Sequence, residues 1–413
     1  MSVKRNFVLT FFLSLIVPFV FAQKTPQATE VLVVGTIHGM HAKNPHYSYH
    51  DIVRILATYN PDAICVEIPP SYFQKKSYLQ EMTLACIYGA EHGIPSYPID
   101  HWGVNYNVRA ARKEYMQTED YKMKKRVEDS LLQHSSIIQR FEEKYGSLDS
   151  LWSSNSVGYE FFNGKDYNDY TREAYRIEID VYGDGVMNLH SEVRNAKMLS
   201  LIDSAIALQH AKRVIVFTGA EHKYYFDDAL AKRDSVRLVP FNEILPLVEI
   251  TPSSNETDYL EKWLARGYYQ DANVMYTNAF VPLLHGSGMD TEPESIPKDN
   301  VALAAELMRE WDTLSHKTAN YYFERLWLNF LQAKYKDAIE DSKHLYTRLN
   351  ELDGWFYRVF YWRNLGFCYD MLAMRDDAVQ CYTKGEALAK ESGCNAELVN
   401  LIFSDYKDKP FQR

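Results

Sequence analysis

Apolar positions along the chain come in two arrangements: short unbroken runs rich in β-branched residues, and longer stretches where they recur every three or four residues. The runs predict strands buried on both faces, and the stretches predict amphipathic helices. Glu30–Ile37 is the first run, with Gly35 near its end. Ser48 and Asp51 then stand at capping-box spacing and open a helix carrying Ile52, Val53, Leu56 and Ala57. Pro61 closes that helix, and Ala63–Ile68 is a second strand stopped by Pro69 and Pro70. A helix through Met82–Ala90 leads past Gly93 to a third strand, Ile94–Ile99. Further on, a helix near Leu189–Ala211 precedes strand Val214–Thr218, helix His222–Lys232 and strand Val236–Val239. Alternation of this kind predicts an α/β fold: a mostly parallel sheet with flanking helices and right-handed crossovers.

Between residues 105 and 185 the chain turns polar, charged and helical, which predicts a helical insertion in the α/β domain of residues 23–250. From residue 251 to 413 the pattern is helical throughout, broken by a loop at Gly286–Lys298. Tyr269–Ala272, Tyr335–Ala338 and Arg375–Ala378 read as one turn used three times, at unequal intervals. Around the last copy, Trp362, Leu365, Gly366, Tyr369, Ala378 and Tyr382 stand as in a tetratricopeptide repeat. The expectation is an all-α, tetratricopeptide-like helical repeat domain able to dock a protein partner, with an unrelated helical bundle as the alternative.

The N-terminus changes the picture of where the protein works. Lys4 and Arg5 precede an apolar run from Phe7 to Phe21, and Val20 and Ala22 place small residues before a cut at Gln23. Residues 1–22 thus read as a secretory signal peptide, implying a periplasmic or extracellular protein with no stable membrane span after cleavage. A retained anchor is the alternative, against which the short run and Pro18 weigh. The net charge of −10 argues against a nucleic-acid partner. The five cysteines, an odd number without CxxC spacing, suggest neither a disulfide framework nor a structural zinc site, and Cys65 reads as core.

Candidate chemistry gathers where the strands end. His38 closes the first strand, Glu67 the second, Asp100 the third and His222 the fourth, each histidine three residues after a glycine. The carboxyl ends of strands in an open parallel sheet line one crevice, so these residues are expected to meet there. Arg194, early in the helix that runs back toward the fourth strand, joins them by the same geometry. Each has a plainer role open to it: turn capping for the histidines and Asp100, a structural ion pair for Glu67, a solvated helix position for Arg194. His41, His46 and His50 add imidazoles nearby, with His41 a further candidate ligand. There is no HExxH, GxSxG or phosphate-binding glycine loop.

Gly35–His38 (GTIH), the VEIPP stretch around Glu67, Arg194-Asn195-x-x-Met198 and Gly219–His222 (GAEH) fall in an order that resembles the TraB/PrgY/GumN family. The wider superfamily includes Tiki-type proteases and ChaN-like and erythromycin-esterase-like proteins. The resemblance covers roughly residues 29–245. Two departures stand out: GAEH replaces the more usual GAGH-like motif, and helical repeats stand where the family has hydrophobic tails.

The resemblance implies His38, His222, Glu67 and Arg194 as the site of a metal-dependent, peptidase-like hydrolase acting on a peptide or small ester-like substrate. His38, His222 and Glu67 would then hold a divalent ion (Mn, Co or Zn) that activates water. Arg194 would hold a substrate carboxylate or the oxyanion. The same residues could instead act by general acid and base alone. The rival expectations are a haem- or ligand-binding protein, after the ChaN-like members, and a scaffold whose main role lies in the repeats.

Overall fold

The computed structural model describes residues 28–76, 78–101, 108–183, 185–209, 211–250, 264, 267–285, 292–352, 354–394 and 396–413. The signal-peptide expectation for residues 1–22 lies outside them. Five strands form one sheet: β1 (Thr29–Thr36), β2 (Ala63–Val66), β3 (Ser96–Pro98), β4 (Arg213–Gly219) and β5 (Val236–Leu238). Their order is β3-β2-β4-β1-β5, and every pairing is parallel. The α/β expectation is met.

Alternation along the strands decides what each face packs against. Leu32, Val34, Ile64, Val66, Ile215 and Phe217 face one core, shared with α1 (Tyr49–Tyr59) and α2 (Gln80–His92). Val31, Val33, Ala63, Cys65, Val214 and Val216 face the other, with α9 (Leu189–Gln209) and α10 (Ala220–Leu230). Each such fully buried aliphatic side chain contributes roughly 1.5–3 kcal/mol. Cys65 is core, as its place in an apolar run suggests. Ser48 caps α1 as expected, its N–H donating to Asp51 Oδ2 at 2.8 Å.

Two neighbouring strands send the chain to opposite faces: β1 continues into α1 on one side and β4 into α10 on the other. Such a switch point opens a crevice at the carboxyl ends. In the ladder Thr36 stands opposite Gly219, so the two GxxH segments leave the sheet side by side.

Among the described residues the insertion forms six helices: α3 (Val108–Tyr115), α4 (Glu119–His134), α5 (Ser136–Tyr145), α6 (Leu148–Ser154), α7 (Tyr159–Phe162) and α8 (Lys165–Tyr182). It is fastened to the first strand by Asn163, which takes the Gly35 N–H at 2.7 Å and donates to the Gly35 carbonyl at 3.2 Å. At Gly35 any Cβ would stand 2.8 Å from the Ala220 Cα, so only glycine lets α10 approach so closely.

Among the described residues the remaining helices are α11 (Ala272–Phe280), running into a π-helical turn at Val281–His285, then α12 (Lys298–Trp311), α13 (Ala319–Leu331), α14 (Tyr335–Tyr346), α15 (Trp355–Met371), α16 (Arg375–Glu391) and α17 (Ala396–Phe403). Helices α13 with α14, and α15 with α16, are joined by the same turn. Ala333 and Ala373 adopt φ of 58° and 59°, and the next N–H reaches back to the Asn329 and Tyr369 carbonyls at 2.8 and 2.9 Å. The Tyr382 ring fills the space beside Gly366. The first expected copy differs. Asp271 caps α11 through the Asn273 N–H at 2.8 Å, but residues 251–263 before it are outside the described set. One apolar cluster runs from the sheet through α2 into these helices.

Candidate functional site

The strand-end residues meet. Arg194, in the second turn of α9, is their hub: Nη2 donates to Glu67 Oε1 at 2.6 Å, Nε to Asp100 Oδ1 at 2.7 Å and Nη1 to His222 Nε2 at 3.1 Å. Glu67 lies just past β2 with its second oxygen accepting the Thr218 hydroxyl at 2.8 Å and the Gly219 N–H at 2.6 Å. Gly219 is the N-cap of α10, whose dipole also favours the carboxylate there. Burial would push Glu67 up, but the charges of His38 and Arg194 and the Gly219 N–H outweigh it and hold it low in the carboxylate range. Asp100, fully buried, also takes the His101 N–H at 2.7 Å and the Tyr78 hydroxyl at 3.2 Å. Glu67, Asp100 and Arg194 thus form a satisfied ionic floor.

The histidines stand above it. A cleft of about 680 Å³ is lined by His38, His222, Met40, Lys43 and Glu221, with Trp152 and Asn155 from the insertion as one wall. His38 is 40% exposed at its side chain and sits at φ 51°, a left-handed conformation that costs an L-residue about 1–2 kcal/mol. Its Nδ1 donates to Glu81 Oε1 at 2.9 Å. Glu81 has no exposed surface, and its other oxygen is buried without a partner. Burial opposes a charge on His38, but Glu81 prevails and raises it well above the ordinary imidazole range. At His222, Nδ1 donates to Asn195 Oδ1 at 2.7 Å while Nε2 accepts from Arg194. Burial, with Arg194 beside it, lowers His222 and keeps it neutral.

His41 is accounted for by the backbone. Its Nε2 accepts the Ile37 N–H at 3.1 Å, and its Nδ1 donates to the Tyr47 carbonyl at 2.7 Å. Both ring nitrogens are occupied, and burial pushes it down to about 4.

As arranged, the donors leave little for a divalent ion. His38 keeps only Nε2 open, its Nδ1 being turned to Glu81, while His222 Nε2 faces Arg194 and both Glu67 oxygens are engaged. Among the described residues no group of three His, Cys, Asp or Glu side chains is set to hold a metal. A cation at His38, His222 and Glu67 would have to displace the Arg194 guanidinium.

Sequence reasoning missed Glu81, Asn195 and Thr218. Glu81 carried a signal: a carboxylate in the otherwise uncharged run from Gln80 to Tyr88 must be paired if that run is buried. Asn195 stood inside the Arg194–Met198 motif without a role assigned. Comparison with known proteins adds no further constraint: no protein-family model, curated protein or solved structure matches the chain.

Proposed function

We propose that the chain is an exported hydrolase of TraB/PrgY/GumN-like type that cleaves a peptide or small ester-like bond by acid–base chemistry at the carboxyl edge of the sheet. One observation carries this: two imidazoles on adjacent strand ends are biased to opposite protonation states, His38 by Glu81 and His222 by burial beside Arg194. Titratable pairs pushed apart in this way mark an acid and a base.

In the sequence we envisage, a water takes up the Arg194 Nη1–H and approaches His222 Nε2, which removes its proton as it attacks the carbonyl carbon. The neutral imidazole is the right form for that step, and Asn195 fixes its tautomer. His38, protonated, donates from Nε2 to the carbonyl oxygen as negative charge develops, then passes its proton to the leaving atom; the proton taken up by His222 is released to solvent water and His38 regains one from it, which restores both rings. Glu81 keeps that imidazolium charged and aimed. The ionised floor of Glu67 and Asp100 holds Arg194 in place and is itself too well satisfied to act as a base.

Export rests on the N-terminal pattern of Lys4, Arg5 and the following apolar run. A metal-dependent version of the reaction needs Arg194 to withdraw first, and the proposal does not use it.

The test is hydrolysis of a panel of acyl esters and short peptides by the mature protein and its His38→Gln, Glu81→Gln and His222→Gln variants, with and without EDTA. Turnover that survives EDTA and falls in all three variants is expected. Turnover abolished by EDTA would return the metal-dependent reaction to first place, and turnover unchanged in the variants would remove this site from the chemistry.

A further inference from the structure

The base-and-acid site does not belong to the α/β part alone. Helix α2 is buried over its first turns, from Gln80 through Ile87, and its two leading residues serve different neighbours. Glu81 holds His38 at 2.9 Å, while the Gln80 Nε2 donates to Asn278 Oδ1 of α11 at 3.0 Å. Gln80 is 7% exposed and Asn278 fully buried, so this contact is shielded from water. Two more links fasten the same stretch to the helical region: the Gln270 N–H reaches the Gln74 carbonyl at 3.1 Å, and the Phe73 and Tyr268 rings meet edge to face. A helix first turn offers little freedom to move one residue without its neighbour.

Resting on the acid–base reading above, we infer that the C-terminal helices set the working geometry of His38 through the first turn of α2, with Gln80 and Asn278 as positioning residues. The helical region therefore completes the site. Neither residue touches the cleft; each acts through Glu81. A misplaced Glu81 lets His38 turn, and misplacement on the ångström scale costs between roughly tenfold and a hundredfold in rate.

The test uses the whole mature chain with 15N-labelled histidine and reads the His38 ring resonances, assigned by their loss in His38→Gln. Asn278→Leu and Gln80→Met each remove the interdomain hydrogen bond, one from either side. Asn273→Leu is the control: it breaks a buried hydrogen bond of the same helix, from the Trp311 Nε1–H to Asn273 Oδ1 at 2.8 Å, that lies wholly within the helical region. Both test variants are expected to shift the His38 Nδ1–H signal and lower kcat at near-constant KM, with Asn273→Leu leaving the signal in place. An unmoved His38 signal in the test variants, or an equal shift in the control, would overturn the inference. The resonances need no turnover, so this outcome is separate from hydrolysis that persists in Glu81→Gln, which would sink the acid–base reading instead.

Discussion

Glu81, without any exposed surface, accepts a hydrogen bond at 2.9 Å from His38, whose ring faces the cleft. A buried carboxylate is costly unless paired, so the pair is expected to persist and to fix both the orientation and the charge of the imidazole. Glu81→Gln keeps the shape and removes the charge. It should cut turnover by on the order of a hundredfold or more. His38 would titrate lower, so the alkaline limb of the rate profile should move to lower pH. A profile unchanged in shape would count against the role given to Glu81.

The pH dependence has a fixed sign. Activity requires His38 protonated and His222 neutral, so it should fall on the alkaline side as His38 loses its proton, near pH 9, and on the acid side below the ordinary imidazole range as His222 gains one. His222→Gln should remove the acid limb from whatever turnover remains, as read from kcat/KM across pH.

Gly219 has ordinary extended backbone at φ −55°, so alanine brings no conformational strain there. Its Cβ would nonetheless stand 2.7 Å from His38 Nε2. Gly219→Ala should still fold, but it should push the His38 ring off the buried Glu81 carboxylate, lose most of its activity and melt below the wild type. Full activity in this variant would contradict the placement of His38.

Removing Arg194 leaves Glu67 and Asp100 buried without their counter-ion. Arg194→Met should cost about 3–5 kcal/mol by chemical denaturation. Adding Glu67→Gln to it should recover part of that loss, because one uncompensated charge disappears. If the double variant were less stable than the single one, the floor would not be held together as described.

His41 gives a stability prediction independent of catalysis. It is neutral in the fold and lowered to about 4, so its contribution is full above the ordinary imidazole value and is lost as pH falls toward 4. The span corresponds to roughly 3 kcal/mol. Denaturation curves between pH 7 and 4 should show one extra proton taken up on unfolding, absent in His41→Gln.

Much of the site was legible because the strands were. Buried parallel strands read as unbroken apolar runs, and their ends pointed to His38, Glu67, Asp100 and His222. Arg194 followed from the direction of one helix. The residues that decide protonation were not legible in the same way. Glu81 lies in helical turns buried on all sides, where no apolar stripe shows which face meets the sheet. The expected start of that helix, at Met82, passed it by. Thr218 looked like a strand residue, and only the ladder, with Phe217 beside Val66, brings it against Glu67. The sequence also could not tell that Arg194 would stand between Glu67 and His222, which is what turns the expectation from metal ligands toward an acid and a base.

The most direct check of that assignment is ring 15N NMR of the two histidines across pH in the unliganded mature protein. At pH 7 His38 should carry both ring protons while His222 carries only its Nδ1 proton. Finding His38 neutral with His222 charged, or the two titrating together near the ordinary imidazole value, would contradict it.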